Sequence, residues 1–400
     1  MDRQVVIVSG VRTAIGSFGG SLADFPPTDL AAAVAREAIA RAGCAPADIQ
    51  QSVFGNVIHT EPKDMYLSRV AAIKAGVPET SPALTVNRLC GSGLQAVVTA
   101  AEQVLLGNAD IVLAGGAESM SRTGHLLSKA RFGAKMGDVT AVDMMLGALQ
   151  DPFGAGHMGN TGENVAERVG VSRQEQDQVA LASQQRAAAA IAEGRFREQI
   201  LPVTVGQGKK ERVFETDEHV RGNVTEGDLA GLKPVFKKDG TVTAGNSSGI
   251  NDAAAALVLM DSSTAEARGV TPLARIVSYG LGGVAPDVMG LGPVPAVRQA
   301  LARAKLTVAD LVVIESNEAF AAQACGVARE LGFPADKTNP NGGAIALGHP
   351  VGASGAIILI KLVYELRRIG GRYGLATMCI GGGQGIAVVV ENTSGGDRIV

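Results

Sequence analysis

The 400-residue chain has no tryptophan, only 4% aromatic residues and four cysteines. So few rings argue against an aromatic-lined groove. They favour tight helix–strand packing and close backbone turns, for which 52 glycines are available. Cys44, Cys90, Cys325 and Cys379 are far apart with no C-x-x-C, and the five histidines show no metal-ligand spacing. A disulfide framework and a metal site are therefore not expected. Lys plus Arg number 36 against 39 acidic residues, a net charge of −3. That balance lacks the basic excess a nucleic-acid partner requires. Lys209-Lys210 and Lys237-Lys238 read as solvated loop tips that could meet phosphates. The start, Met1-Asp2-Arg3-Gln4 then Val5–Val8, is too short and acidic for a secretory signal and reads as a first strand. The apolar run Ala356–Ile360 stops at Lys361, too short for a membrane span. A reducing, cytoplasmic setting is the expectation.

What is present is a pattern written twice. Arg36, Ala38, Ala40, Arg41, Ala42, Ala47 and Asp48 recur 262 residues later as Arg298, Ala300, Ala302, Arg303, Ala304, Ala309 and Asp310. Ser92-Gly93 recurs as Ser354-Gly355, and Leu113-Ala114 as Leu375-Ala376. One ungapped offset over about eighty residues implies two similar halves related by a pseudo-twofold axis. Cys90 then corresponds to Gly352, three residues after His349, and Cys379 to Ala117. Superposed halves would bring these loops toward one cleft.

With 46% hydrophobic and 19% charged residues the chain is globular. The first half alternates strands (Val5–Val8, Ser52–Val57, Ala83–Val86, Ile111–Ala114) with helices (Leu30–Ala42, Gly93–Leu106). The second half repeats the order with Leu273–Tyr279, Val294–Ala304, Leu311–Glu315, Gly355–Leu366 and Gly374–Thr377. Apolar runs separated by helices point to an α/β fold with a parallel-rich sheet covered on both faces. The domains expected are residues 1–119 plus 250–271, an inserted lobe at 120–249, and 272–400. In the insert the periodicity breaks down, apart from a polar helix at Arg173–Glu193. A lobe over the cleft and an oligomerisation lobe are both open readings of it.

Four segments carry chemistry. Cys90, in Asn87-Arg88-Leu89-Cys90-Gly91-Ser92-Gly93, sits between a strand and a helix, where a helix N-terminus favours thiolate. An inert buried thiol is the competing reading. His349, in the glycine-rich run Asn341–Pro350, is a candidate base or oxyanion donor, or a structural histidine. Cys379 precedes Gly381-Gly382-Gly383, a setting both accessible and close to backbone N–H groups, or a tight turn with an incidental thiol. Asn317, after the strand ending at Glu315, is a substrate or water holder, or a helix cap.

Together, Cys90-Gly91-Ser92-Gly93, Asn317-Glu318-Ala319-Phe320, Gly348-His349-Pro350 and Cys379-Ile380-Gly381-Gly382-Gly383 resemble the thiolases, and more closely the bacterial short-chain acetyl-CoA acetyltransferases and β-ketothiolases. The likeness runs over residues 4–391 and includes Val11–Gly16 and His157-Met158-Gly159. Phe54-Gly55-Asn56-Val57, Glu61-Pro62 and Asp64-Met65-Tyr66 resemble the β-ketothiolases that accept acyl chains slightly longer than acetoacetyl.

The resemblance implies a layered αβαβα thiolase fold and a carbon–carbon bond made or broken beside a thioester. It implies that Cys90 is acylated, that His349 activates it, and that Cys379 moves the proton on the acetyl carbon. Asn317 would hold a water that completes one oxyanion site with His349, and the N–H groups of Cys90 and Gly381 would form the other. Leu149, His157, Met158, Phe236, Ala244, Ser248 and Phe320 would line the pantetheine and acyl channel, with Arg221 near the nucleotide. CoA and acyl-CoA would be substrates, with no separate cofactor, and the chain a homotetramer or dimer. Gly162 and Ser316 stand where the family usually has Ala; Gly395–Arg398 extends past its pattern. A decarboxylating ketoacyl synthase and a silent acyl-CoA-binding protein are the rival readings.

Overall fold

Ser9 and Ser278 make the same hydrogen bond in two different places. Ser9 Oγ donates to Ala38 O and Ser278 Oγ to Ala300 O, each at 2.7 Å. The structure, a computed structural model, describes residues 3–393, so the tail Gly395–Arg398 lies outside the described residues. Ser9 lies on β1 (Val5–Thr13) and Ala38 on α1 (Pro27–Arg41). The N-terminal half continues with β2 (Gln51–Gly55), β3 (Ala83–Val86), α2 (Ser92–Leu105) and β4 (Ile111–Ser119). The long helices α3 (Met158–Val169) and α4 (Arg173–Ala192) follow, and then β5 (Asn251–Asp261). The C-terminal half comprises β6 (Ala274–Gly283), α5 (Pro293–Ala304), β7 (Leu311–Ser316), α6 (Ala321–Leu331), α7 (Val351–Ile369), β8 (Tyr373–Ile380) and β9 (Gln384–Asn392).

These strands form one sheet in the order β7-β8-β9-β6-β1-β5-β4-β2-β3. The pseudo-twofold passes between β6 and β1, which pair antiparallel at Val6–Arg275 and Ile7–Ala274. Around it β1 matches β6, β5 matches β9, β4 matches β8 and β2 matches β7. Even the irregularities repeat, with register slips between Ile7 and Ser9 and between Ile276 and Ser278. The short turns Pro46–Asp48 and Val308–Asp310 repeat as well, each aspartate accepting the N–H three residues back at 2.8 Å. The connection after β1 is longer than that after β6, so the constant spacing begins only at the first helix.

Neighbouring side chains give the layers. Ser9 faces α1, whereas a side chain on Gly10 would meet Ile360 of α7 on the opposite face of β1. A Cβ on Gly280 of β6 would strike α5 at Ala296, and one on Gly374 of β8 would strike α7 at Leu362. The helices α2 and α7 thus lie between the two half-sheets, with α1 and α5 outside, in an αβαβα stack. Along α7 every residue from Val351 to Val363 is buried.

The parallel-rich sheet expected from the apolar runs is corrected. β2 pairs parallel with β3 and β4, and β7 with β8, but the five central pairings are antiparallel. Two connections cause this. Gly382 and Gly383, at φ 81° and 86°, close a tight hairpin between β8 and β9, which can only be antiparallel. β5 returns from the long insert beside β4 and runs antiparallel to it. The insert is also more regular than its broken periodicity suggests, since α3 precedes the polar helix there. It is tied to β1 by a buried guanidinium. Arg12 Nε donates to Gln199 Oε1 at 2.8 Å, its terminal nitrogens donate to Asp217 at 2.7 and 3.0 Å, and it stacks over Phe196 at 5.1 Å.

At the crossing of α2 and α7, a Cβ on Gly355 would lie 2.2 Å from Leu94 N, a backbone atom that cannot step aside. Gly355→Ala should therefore cost about 3 kcal/mol of unfolding free energy in urea titrations. Gly124→Ala, where nothing lies within 4 Å of the added carbon, should cost less than about 0.5 kcal/mol.

Candidate active site

Cys90 lies in the loop between β3 and α2. Its neighbour Leu89 is held in the left-handed region at φ 45°, uncommon for a residue with a side chain. Ser92 braces this turn, its Oγ accepting from Arg88 N at 2.9 Å and donating to Leu89 O at 2.7 Å. Gly91 leaves room for the side chain of Ile380, which would come within 2.5 Å of a Cβ there. Burial pushes the Cys90 thiol up, opposed by the N–H groups of Gly381 and of Cys90 itself. This corrects the expectation of a thiolate at a helix N-terminus. The helix begins only at Ser92, and desolvation outweighs the two amides. At rest Cys90 is a thiol.

Cys379, near the end of β8, is fully buried, and its thiol too is pushed up, first by desolvation and then by the negative charge that a nearby Cys90 thiolate would carry. Gly381 follows in the turn, where a Cβ would crowd Met158 at 3.0 Å and Leu89 at 3.3 Å. Three of the expected groups, Cys90, Cys379 and the Gly381 amide, are therefore together.

Asn317 and His349 form a second group. Asn317 N donates to Thr377 O of β8 at 3.0 Å, two residues before Cys379, and its side-chain nitrogen lies 3.5 Å from His349 Nε2. His349 N donates to Asn251 Oδ1 at 2.9 Å, while its Nδ1 lies 2.6 Å from Ser354 Oγ. Burial alone lowers the His349 pKa to about 4, so the ring is neutral at physiological pH.

The glycine-rich loop between them is fixed from below by charged groups. Glu318 accepts from Ser183 Oγ at 2.7 Å and Asn339 Nδ2 at 2.7 Å. Lys361 Nζ donates to Glu315 at 2.8 Å and to Gly342 O at 2.7 Å. Glu118, at the end of β4, is fully buried and accepts from Asn56 Nδ2, Val57 N, Ile58 N and Gly352 N at 2.9–3.1 Å. Burial pushes its pKa up to about 8 against these donors. Sequence reasoning missed Glu118, Glu315 and Lys361. The available signal was a charge ending or interrupting an apolar run that otherwise reads as core.

The expected acyl-channel residues converge on the same turn. His157 Nδ1 accepts from Gly159 N at 3.1 Å and so caps α3. Its ring stacks on Phe236 at 4.7 Å and 14°, and Phe236 meets Phe320 edge-on at 6.1 Å. Glycine at 159 is required here, because a Cβ would sit 2.3 Å from the Phe236 ring. Met158, Phe320 and Cys379 share one apolar cluster with Phe236 packed against it. Leu149 O accepts from Met158 N at 2.8 Å, and Ser248 N donates to Ala319 O at 3.0 Å. Ala244 and Arg221 are exposed and share neither a hydrogen bond nor this cluster with the groups above. Among the described residues no group of three or more His, Cys, Asp or Glu could hold a metal, and no helix is long and apolar enough to cross a membrane.

Two family models cover this architecture: the thiolase N-terminal domain matches residues 5–263 and the thiolase C-terminal domain residues 270–392. The chain belongs to the thiolase family. It is 61% identical over 393 residues to the beta-ketothiolase BktB of Cupriavidus necator, covering 98% of this chain and 100% of that one. With the acetyl-CoA acetyltransferase of Chromobacterium violaceum it shares 52% over 390 residues, covering 97% and 99%. The crystal structure of human mitochondrial 3-ketoacyl-CoA thiolase superposes with a TM-score of 0.96 at 44% identity, over 98% of this chain and 99% of that one. These relatives make the chain an acyltransferase of the thiolase type, in preference to a decarboxylating synthase or a silent binding protein.

The neutral burial of His349 has a consequence for stability. The unfolded imidazole titrates near 6.5, the folded one near 4. Above pH 6.5 neither state takes up the proton. As pH falls from 6.5 toward 4, only the unfolded chain binds it, and stability drops by on the order of 3 kcal/mol. His349→Asn should remove that part of the slope in urea midpoints measured between pH 6.5 and 4.5. An unchanged slope would contradict a buried neutral ring.

Proposed function

We propose that Cys90, His349, Cys379, Asn317 and the Gly381 amide carry out the thiolase reaction, the reversible condensation of acetyl-CoA with an acyl-CoA to give a 3-ketoacyl-CoA and CoA. The observation that carries this reading is the packing of the Cys90 loop on the Cys379 turn, with Gly91 against Ile380 and Gly381 against Leu89, and the Gly381 N–H hydrogen-bonding the Cys90 sulfur. In the cleavage direction His349 takes the Cys90 proton, and the sulfur attacks the 3-keto carbon. The amides of Cys90 and Gly381 receive the negative charge that develops on that oxygen. The carbon–carbon bond breaks, leaving an acyl-Cys90 thioester and the enolate of acetyl-CoA. Cys379, a thiol because it is buried, gives its proton to the enolate carbon and becomes a thiolate. Incoming CoA returns a proton to Cys379, its sulfur takes the acyl group from Cys90, and His349 gives back the original proton. Asn317, with a water and His349, stabilises the enolate oxygen. Condensation is the reverse.

CoA thioesters enter along Leu149, His157, Met158, Phe236, Ala244, Ser248 and Phe320, with Arg221 toward the nucleotide. The stretches Phe54–Val57, Glu61-Pro62 and Asp64–Tyr66 support acyl chains slightly longer than acetoacetyl, and reducing conditions in the cytoplasm suit four free cysteines. CoA and its thioesters are the only small molecules this scheme requires. Exposed Leu126, Leu127, Phe132, Met136 and Leu146, all in one stretch of the insert, support a homo-oligomer, a tetramer or a dimer.

Mass spectrometry after mixing with acetyl-CoA should find one acetyl group, on Cys90. Cys379→Ser should still acetylate there but lose nearly all deuterium exchange at the acetyl methyl group. Exchange at the wild-type rate would sink the Cys379 role. Asn317→Ala should slow turnover by about 10²–10³-fold, as for loss of one oxyanion donor. Arg221 has an exposed side chain remote from the reacting carbon by this reading. Arg221→Ala should thus raise KM for CoA with little change in kcat, and should leave short pantetheine thioesters unaffected. Equal damage with both substrates would move Arg221 to the chemistry.

A further inference from the structure

His349 cannot act as a base at Nε2 unless its single proton sits on Nδ1, and the surroundings of Nδ1 decide this. Ser354 Oγ lies 2.6 Å from Nδ1 and donates its own hydrogen to Pro350 O at 2.9 Å. A hydroxyl has one hydrogen, so the same oxygen can only accept from the ring. Ser354 is 3% exposed, in the first turn of a helix buried along this stretch, so no solvent competes for either bond. We propose that Ser354 is a positioning residue that fixes His349 as the Nδ1–H tautomer and leaves the Nε2 lone pair on the side of Asn317.

The other half supports this. Ser92 is the residue equivalent to Ser354, and its Oγ likewise donates to a carbonyl of its own loop, Leu89 O, at 2.7 Å. There the oxygen accepts from a backbone N–H, that of Arg88 at 2.9 Å. The two halves use one serine for one job, bracing the loop in front of an inner helix. Only in the C-terminal half has the accepted donor become an imidazole. The bond also favours the charged ring, since an Nδ1–H donates more strongly once the imidazole is protonated.

The proposal rests on the thiolase reading of the site, but its first test does not require activity. In wild-type protein labelled with [15N]histidine, with His349→Asn identifying the signal, the His349 spectrum at pH 7 should be that of a pure Nδ1–H tautomer. A pure Nε2–H spectrum would overturn the proposal and leave the family activity untouched. Ser354→Ala should then give a mixed tautomer. It should slow acetylation of Cys90 by at least about tenfold, as for loss of a group that sets a catalytic base, with KM for CoA changed less than about twofold. The acid limb of the acetylation profile should move to lower pH, because an acceptor that supported the protonated ring is gone. Ser354→Thr, which keeps the hydroxyl, should restore most of the rate. Wild-type rate and pH profile in Ser354→Ala, or no recovery in a folded Ser354→Thr, would each count against it. A wild-type enzyme that fails to acetylate Cys90 would instead defeat the reading of the site.

Discussion

The crossing of α2 and α7 at Gly93 and Gly355 is the contact on which the rest of the molecule depends. A Cβ on Gly93 would lie 2.8 Å from Ala356 N and 3.0 Å from Gly352 O. The two helices therefore meet backbone to backbone, at a separation that only glycine allows. Each helix carries a chemical loop at its N-terminal end, Cys90 before α2 and His349 before α7. Because the helices are equivalent in the two halves, their crossing sets the relation between those loops. Larger residues at the crossing would wedge the half-sheets apart, and the nucleophile would move relative to the base.

The buried charges serve this geometry more than they serve stability. Taking an ion pair out of water costs about as much as its attraction returns, unless the remaining donors and acceptors are also satisfied. Arg12 meets that condition with Gln199 and Asp217, and so ties the insert to β1. Lys361 meets it only in part: its ammonium reaches Glu315 and Gly342 O beneath the loop of His349, while the second Glu315 oxygen has no partner. Glu118 gathers three backbone amides and Asn56, joining the loop after β2 to the start of α7 across the pseudo-twofold. In each case a buried polar side chain holds a backbone segment that carries no regular hydrogen-bond ladder of its own.

Much of this was legible in the sequence, for reasons that also explain what was not. A spacing of 262 between Arg36-type and Arg298-type residues is a global signal, and it located both halves without any knowledge of pairing. Apolar runs found the strands, but an apolar run has no direction, so the antiparallel centre stayed hidden until the glycine hairpin and the return of β5 were seen. The start of α3 was masked by Gly159 and Gly162 in its first turns, which helix propensity disfavours; packing against Phe236 demands the first of them. The four chemical residues were found by motif, whereas the protonation of Cys90 was misjudged. A helix dipole can be read from sequence; the desolvation that outweighs it comes from residues distant along the chain. Ser354 had been visible only as half of a repeat, because its partner atom is a side chain five residues away.

A duplicated scaffold supplies two equivalent places for a nucleophile, yet only one is used, and the packing shows why. The position equivalent to Cys90 is Gly352, where a Cβ would fall 2.5 Å from Glu118 Oε2. The position equivalent to Glu118 is Ile380, which packs its methyl end against Gly91, beside Cys90. At the start of α7 the space is therefore filled by a carboxylate from the other half that must reach the Gly352 N–H, and this excludes any side chain there. At the start of α2 the matching space is filled by Ile380, an apolar group, which leaves the residue before Gly91 free to carry a thiol. A carboxylate in place of Ile380 would crowd negative charge against a sulfur that must become anionic. A thiol in place of Gly352 would break the bond that joins the halves. The exchange of Glu118 and Ile380 between equivalent sites thus leaves the symmetric fold one place for a nucleophile, before α2, and makes the equivalent place at the start of α7 a brace.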